Sequence, residues 1–116
     1  MKDYASMTDQ QINREVQKLT GTGCMVGSGG LVISNGMWRT FDPCNNPADA
    51  WPIITSTGIS LIKCTVDSVC WSAEIITDID DVTDNLFQCQ SSFDYQDENP
   101  LRCAMIVFLM MKESEK

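Results

Sequence analysis

Asn99-Pro100-Leu101-Arg102-Cys103-Ala104-Met105-Ile106-Val107-Phe108-Leu109-Met110-Met111 decides what kind of fold this chain adopts. Asn99 is a helix cap, and Pro100 stands at the first helical position, where its missing N–H removes no bond. After Arg102 the run holds nine residues without a polar side chain. That is far short of the roughly 20 that cross a bilayer. A helix apolar all round must instead be covered on most sides. Two arrangements do this: the helix is the central core element of the domain, or part of 103–111 is an interface between copies of the chain.

Further toward the N-terminus, Ile59 to Cys64 and Val69 to Thr77 read as two strands around a turn at Thr65–Ser68. Val69, Trp71, Ala73 and Ile75 point one way and Cys70, Ser72 and Glu74 the other, the pattern of a half-buried antiparallel strand. Residues 78–98 are acidic and weakly patterned, which predicts mostly loop, with Leu86 to Cys89 the candidate for a short edge strand. Asn46-Pro47 repeats the helix opening, and Ala48, Ala50, Trp51, Ile53 and Ile54 supply an apolar side. Pro52 is expected to shorten or kink this second helix, and Gly58 to end it. At the N-terminus Thr8 and Gln11 form a capping box, and Met7 and Ile12 a hydrophobic staple. Ile12, Val16 and Leu19 then make one narrow apolar stripe, stopped by Gly21 and Gly23. Leu31 to Ile33 and Met37 to Phe41 flank Asn35-Gly36, a strong hairpin signal. The expectation is one α+β domain over 1–116: a small antiparallel sheet packed with an amphipathic N-terminal helix and an apolar C-terminal helix.

Charge and cysteines narrow the function classes. The chain has 8 Lys+Arg against 16 Asp+Glu, a net charge of −8. That balance speaks against direct binding of nucleic acid, whose affinity comes mostly from cations meeting phosphates. From Cys64 to Pro100 there are nine acids and no Lys or Arg. Asp78, Asp80, Asp81 and Asp84 concentrate there, either as a solvated face or as an acidic surface for docking a protein. The six cysteines are widely spaced, with no C-x-x-C and no histidine in the chain. Met1-Lys2-Asp3-Tyr4 leads into a polar helix without the apolar stretch of an export signal. Reduced, mostly buried thiols in a cytoplasm are expected, with no metal site and no cofactor.

Catalytic signatures are missing for stated reasons. Without histidine, neither a Ser-His-Asp nor a Cys-His arrangement can be built. The glycine-rich 21–30 stretch follows a helix rather than a strand and holds no G-K-[ST]. It therefore matches neither a dinucleotide fingerprint nor a P-loop, and reads as a flexible connector. Ser28 lacks the glycine two residues ahead that a nucleophile elbow requires, since Val26 stands there. Cys44, just ahead of the Asn46 cap, is the single candidate thiol nucleophile. Counted from Asp78, an EF-hand would need glycine at Thr83 and glutamate at Cys89.

Phe41-Asp-Pro-Cys-Asn-Asn-Pro-Ala-Asp-Ala-Trp-Pro-Ile-Ile54 and the 99–111 run together resemble the NinX-like proteins, small proteins of lambda-type phages and prophages encoded among accessory genes. The amphipathic first helix fits as well, whereas the glycine-rich and 78–98 stretches add nothing to the likeness. The resemblance implies a phage origin, expression in the cytoplasm of the infected bacterium and an α/β/α-type sandwich. It brings no catalytic residues with it. Two functions are then expected. In the first, the chain is a non-enzymatic phage accessory protein that binds and modulates or inhibits a host protein, with defence components as the candidate class. In the second it sequesters a small nucleotide signal: Trp38, Trp51 and Trp71 stack rings, Arg39 and Arg102 (or Lys63) meet phosphates, and Asn45 and Asn46 read polar edges. The simpler alternative for the aromatic residues is core.

Overall fold

The computed structural model describes residues 3–21, 24–26, 29–34, 36–64, 70–80 and 88–114. Among them a short 3₁₀ turn, Tyr4–Ser6, precedes α1 (Asp9–Thr20), and three strands follow: β1 (Cys24–Val26), β2 (Gly29–Ser34) and β3 (Met37–Thr40). Then come α2 (Pro47–Thr57), β4 (Ile59–Cys64), β5 (Cys70–Asp80), β6 (Gln88–Asp97) and α3 (Pro100–Ser114). The strands form two antiparallel sheets, ordered β1-β2-β3 and β4-β5-β6. The class is α+β, as the sequence predicts.

Local chemistry explains most element ends. The Thr8 hydroxyl accepts from the Gln11 N–H at 3.2 Å and the Gln11 amide oxygen from the Thr8 N–H at 2.8 Å, so the capping box is closed. Asn46 caps α2 by accepting from the Ala48 N–H at 3.0 Å. Gly58 ends that helix at φ 80°, a left-handed conformation that side chains resist. Asn99 caps α3, its Oδ1 accepting from the N–H groups of Leu101 (2.9 Å) and Arg102 (3.3 Å).

α3 is the middle layer. One side of it lies on β5, β6 and β4, and the other meets α1 and α2. Cys103 through Leu109 are all buried within the chain, so the central-core arrangement is the one adopted, with only Met110 and Met111 of the apolar run half-exposed. The order is thus sheet, α3, then the other two helices, because the all-round apolar helix rather than the sheet has two faces to cover. The sheet face toward α3 carries Ile59, Leu61, Ala73, Ile75, Phe93 and Tyr95 in register. Its other face carries Ser60, Ile62, Ser72, Glu74, Asp94 and Gln96. On α1, Ile12 and Val16 are fully buried while Leu19 is 40% exposed.

Three expectations are corrected. Residues 24–26 and 29–30 are strand rather than connector: Met25 pairs Gly30 and Val26 pairs Gly29 in the first sheet. Residues 78–80 and 88–97 are strand rather than loop, with irregular pairing around Ile76. α2 is not shortened by Pro52, because buried Ile53 and Ile54 hold the next turn against the core and Pro52 itself is exposed.

Candidate functional site

The polar residues of both sequence motifs converge on one place, where the 41–46 loop meets the N-terminal ends of α1 and α3. The Asp42 carbonyl accepts from the N–H groups of Asn45 (3.1 Å) and Asn46 (2.7 Å), folding the loop into a turn that delivers the chain to α2. From α1, the buried Asn13 works in both directions. Its Nδ2 donates to Asp42 Oδ1 at 2.7 Å, and its Oδ1 accepts from the Cys44 N–H at 3.1 Å. From the start of α3, Asn99 Nδ2 donates to the Cys44 carbonyl at 2.7 Å. Arg102 closes the assembly. It donates to Asp9 Oδ1 (2.6 Å), Asp97 Oδ2 (3.2 Å) and the carbonyls of Tyr4 (3.2 Å) and Met7 (2.7 Å).

Next to it stands a second ion pair. Arg39 of β3 makes a two-pronged contact with Asp49 of α2, at 2.7 and 2.6 Å, and Asp49 also accepts from the Asp42 N–H at 2.9 Å. The Asp49 carboxylate is 4% exposed. The hydrogen bond to Asp49 raises the Arg39 pKa, fixing its charge. Burial opposes the charge on Arg102, but the bond to Asp9 and the charges of Asp9 and Asp97 outweigh it. No buried side-chain nitrogen or oxygen among the described residues lacks a partner. These groups are already bonded to each other, so the cluster is a clamp that joins elements, with little left to give a ligand.

Cys44 is inert in this setting. Its thiol is fully buried, and burial followed by the Asp9 charge pushes its pKa up to about 12. Cys103 is raised likewise to about 12 by burial and then by Asp97. A nucleophilic thiol needs the opposite, an electropositive and accessible position. Among the described residues no group of three or more His, Cys, Asp or Glu is arranged to hold a metal ion, and no helix is long and apolar enough to cross a membrane.

The residues expected to bind a nucleotide are dispersed. Trp51 is 60% exposed on α2. Trp71 lies half-buried on β5 with Lys63 Nζ 5.9 Å from its ring centre, which occupies both of those candidates. Trp38 is placed by the backbone of β3. Asn46 is a helix cap, and Arg39 and Arg102 are paired as described. Asn45 lines a cleft: its Nδ2 donates to Asp9 (3.1 Å) and Asp42 (3.2 Å) at the edge of a space of ≈ 280 Å³ shared with Arg14 and Phe41. Of the acidic set, Asp78 and Asp80 lie on β5 beyond the end of β4, where β5 pairs only with β6. Asp81 and Asp84 lie outside the described residues.

Two features went unread in the sequence. One is the set of acids and amides that complete the clamp (Asp9, Asn13, Asp42, Asp49, Asp97, Asn99), of which only Asn99 carried a local signal. The other is a groove of ≈ 610 Å³ between the N-terminal turn, β6 and the end of α3, lined by Asp3, Tyr4, Phe93, Tyr95, Met110 and Glu113 among others. The Tyr4 hydroxyl donates to Glu113 Oε2 at 2.6 Å across one end of it. A further cleft of ≈ 460 Å³ lies between the ends of α1, α2 and α3, beside Leu19 and Phe108.

No curated protein and no solved structure matches the chain. The family described as Bacteriophage P22, NinX matches residues 3–112. That span takes in both helix-opening motifs, the whole clamp and every described element except the last two residues of α3, and the chain belongs to this phage family.

Proposed function

We propose that the chain is a phage accessory protein that acts without catalysis in the host cytoplasm, by docking its acidic surface on a host protein and modulating or inhibiting it. Host defence components are the target class that this reading places first. One observation supports it above the rest: the chain carries 16 Asp+Glu against 8 Lys+Arg, a net charge of −8, and the two arginines expected to meet phosphates, Arg39 and Arg102, are held by the molecule's own carboxylates. A surface with such an excess steers basic partners toward it and repels phosphate backbones. Asp78 and Asp80, on β5 past the end of its pairing with β4, belong to that excess.

The test is capture from infected cells on the immobilised chain, beside a variant carrying Asp78→Lys and Asp80→Lys. A host protein held at about 50 mM salt, released at about 1 M and held less by the variant is the expected result. Failure to hold any host protein at low salt ends the acidic-docking reading.

A further inference from the structure

β6 closes one side of the sheet β4-β5-β6, so among the described residues no strand pairs with its outer edge. Such an edge offers a row of N–H and C=O groups at strand spacing, and proteins usually blunt it with lysine, proline or short length. Gln88–Asp97 is ten residues long and has neither lysine nor proline. Directly beside this edge lies the ≈ 610 Å³ groove, with Phe93 and Tyr95 of β6 forming its wall together with Tyr4 and Met110. Asp94 and Gln96 point to the opposite face and are exposed. The charged residues lining the groove, Asp3 and Glu113, are both acidic.

These features select an occupant. A strand added to β6 sends alternate side chains to the two faces of the sheet. Those on the inner face enter the apolar groove, while those on the outer face come beside Asp94. Opposite charges facing each other across strands are favourable, and like charges are not. A second copy of this chain would bring another −8 body and another acidic edge against the first. We infer that the β6 edge and its groove form a docking site for an extended segment of a host protein that alternates apolar and basic side chains. Main-chain bonds along the edge supply affinity, and the groove with its acidic rim supplies selectivity. This assignment rests on the host-binding reading above and gives it a place and a partner chemistry.

The experiment titrates the intact chain with a labelled eight-residue peptide that alternates valine or leucine with lysine. A peptide of the same composition, with its apolar and basic residues in separate blocks, is the control. The alternating peptide is expected to bind at least about tenfold tighter and to slow amide exchange along 93–97. Asp94→Lys and Met110→Lys are each expected to weaken it at least about fivefold with unchanged circular dichroism, since the first sets a cation against the basic side chains and the second puts a charge into the groove that takes the apolar ones. Equal affinity for the two peptides, protection elsewhere than β6, or binding that neither substitution weakens overturns the assignment. So does a dimer in sedimentation that the same two substitutions dissolve, which would give the edge to a second copy. Capture of host protein separates the two levels: capture that survives both substitutions removes this site and leaves the host-binding reading standing. Absence of capture by the unaltered chain removes both.

Discussion

Replacing Arg102 by methionine keeps the length and apolar stem of the side chain and removes the cation that ties three segments together. Four contacts are lost, two to carboxylates and two to backbone carbonyls. They do not weigh equally. The Asp9 side chain is 42% exposed and regains water, so its arm contributes little, about 0.5 kcal/mol. Asp97 is 23% exposed, and the arm to it is worth about 1 kcal/mol. The Tyr4 and Met7 carbonyls lose a charged donor, at about 1 kcal/mol each. The expected loss is therefore about 3.5 kcal/mol, a large share of the 5–15 kcal/mol that typically separates folded from unfolded domains. For a chain of 116 residues it lowers Tm by about 14 °C. Arg102→Lys keeps the charge but not the planar fork, so it should retain one or two of the four bonds and fall between the two. Urea titration followed by circular dichroism, with m compared across the three proteins, measures this. A loss below about 1 kcal/mol for methionine, or lysine as damaging as methionine, would refute the clamp as described.

Three further outcomes are expected. Cys44 and Cys103 hold their protons in the fold up to about 12, against 9.0 for a free thiol, so the unfolded chain binds fewer protons than the folded one between these values. Stability present below pH 9 should then be lost as pH rises toward 12, and a Cys44→Ala, Cys103→Ala double variant should lose it less steeply. Urea midpoints at about pH 8 and 10.5 check this, and equal slopes in both proteins would contradict it. Pro52→Ala restores an N–H inside α2 at an exposed position and should stabilise the chain by about 1–2 kcal/mol, read from the same titration. A thermal-shift panel of nucleotides should leave Tm unchanged, because Trp51, Trp71, Arg39 and Arg102 are not gathered at one cleft. A ligand at about 100 times its Kd would add about 2.7 kcal/mol and restore that reading.

What the sequence discloses is set by the distance between interacting groups. The caps at Thr8, Asn46 and Asn99, the Gly58 stop and the burial of 103–109 were all legible, because each depends on residues within a turn or two or on a local apolar pattern. The hairpin at Asn35-Gly36 belongs with them: Ser34 pairs Met37 and Gly36 has φ 78°. The clamp was not legible, because Asn13 meets Asp42 across 29 residues, Asn99 meets Cys44 across 55, and Arg102 meets Asp9 across 93. Nothing in an asparagine's neighbours names its distant partner. Arg102 was accordingly read as a phosphate contact, a role open to any arginine whose carboxylates are unseen.

The misread strands have a different cause. Alternation marks a strand only where one face is buried, and in β6 the residues packed against the core are Phe93 and Tyr95, opposite Ile75 and Ala73. Beyond them, β5 and β6 run past the end of β4, and the pairing shifts between Ile75 and Asp78 displace the two-residue period. Past the end of β4 the sequence of both strands supplies few apolar residues, so alternation gives way to residues that follow solubility or a partner. That change of pattern links the illegible part of the fold to the proposed function. The segments least legible in the sequence, the acidic end of β5 and the β6 edge, are also those on which the proposed docking rests. The lysine substitutions at Asp78, Asp80 and Asp94 should therefore weaken host binding at almost no loss of stability, whereas changes in the clamp should do the reverse. A variant series in which binding and stability fall together would refute that division.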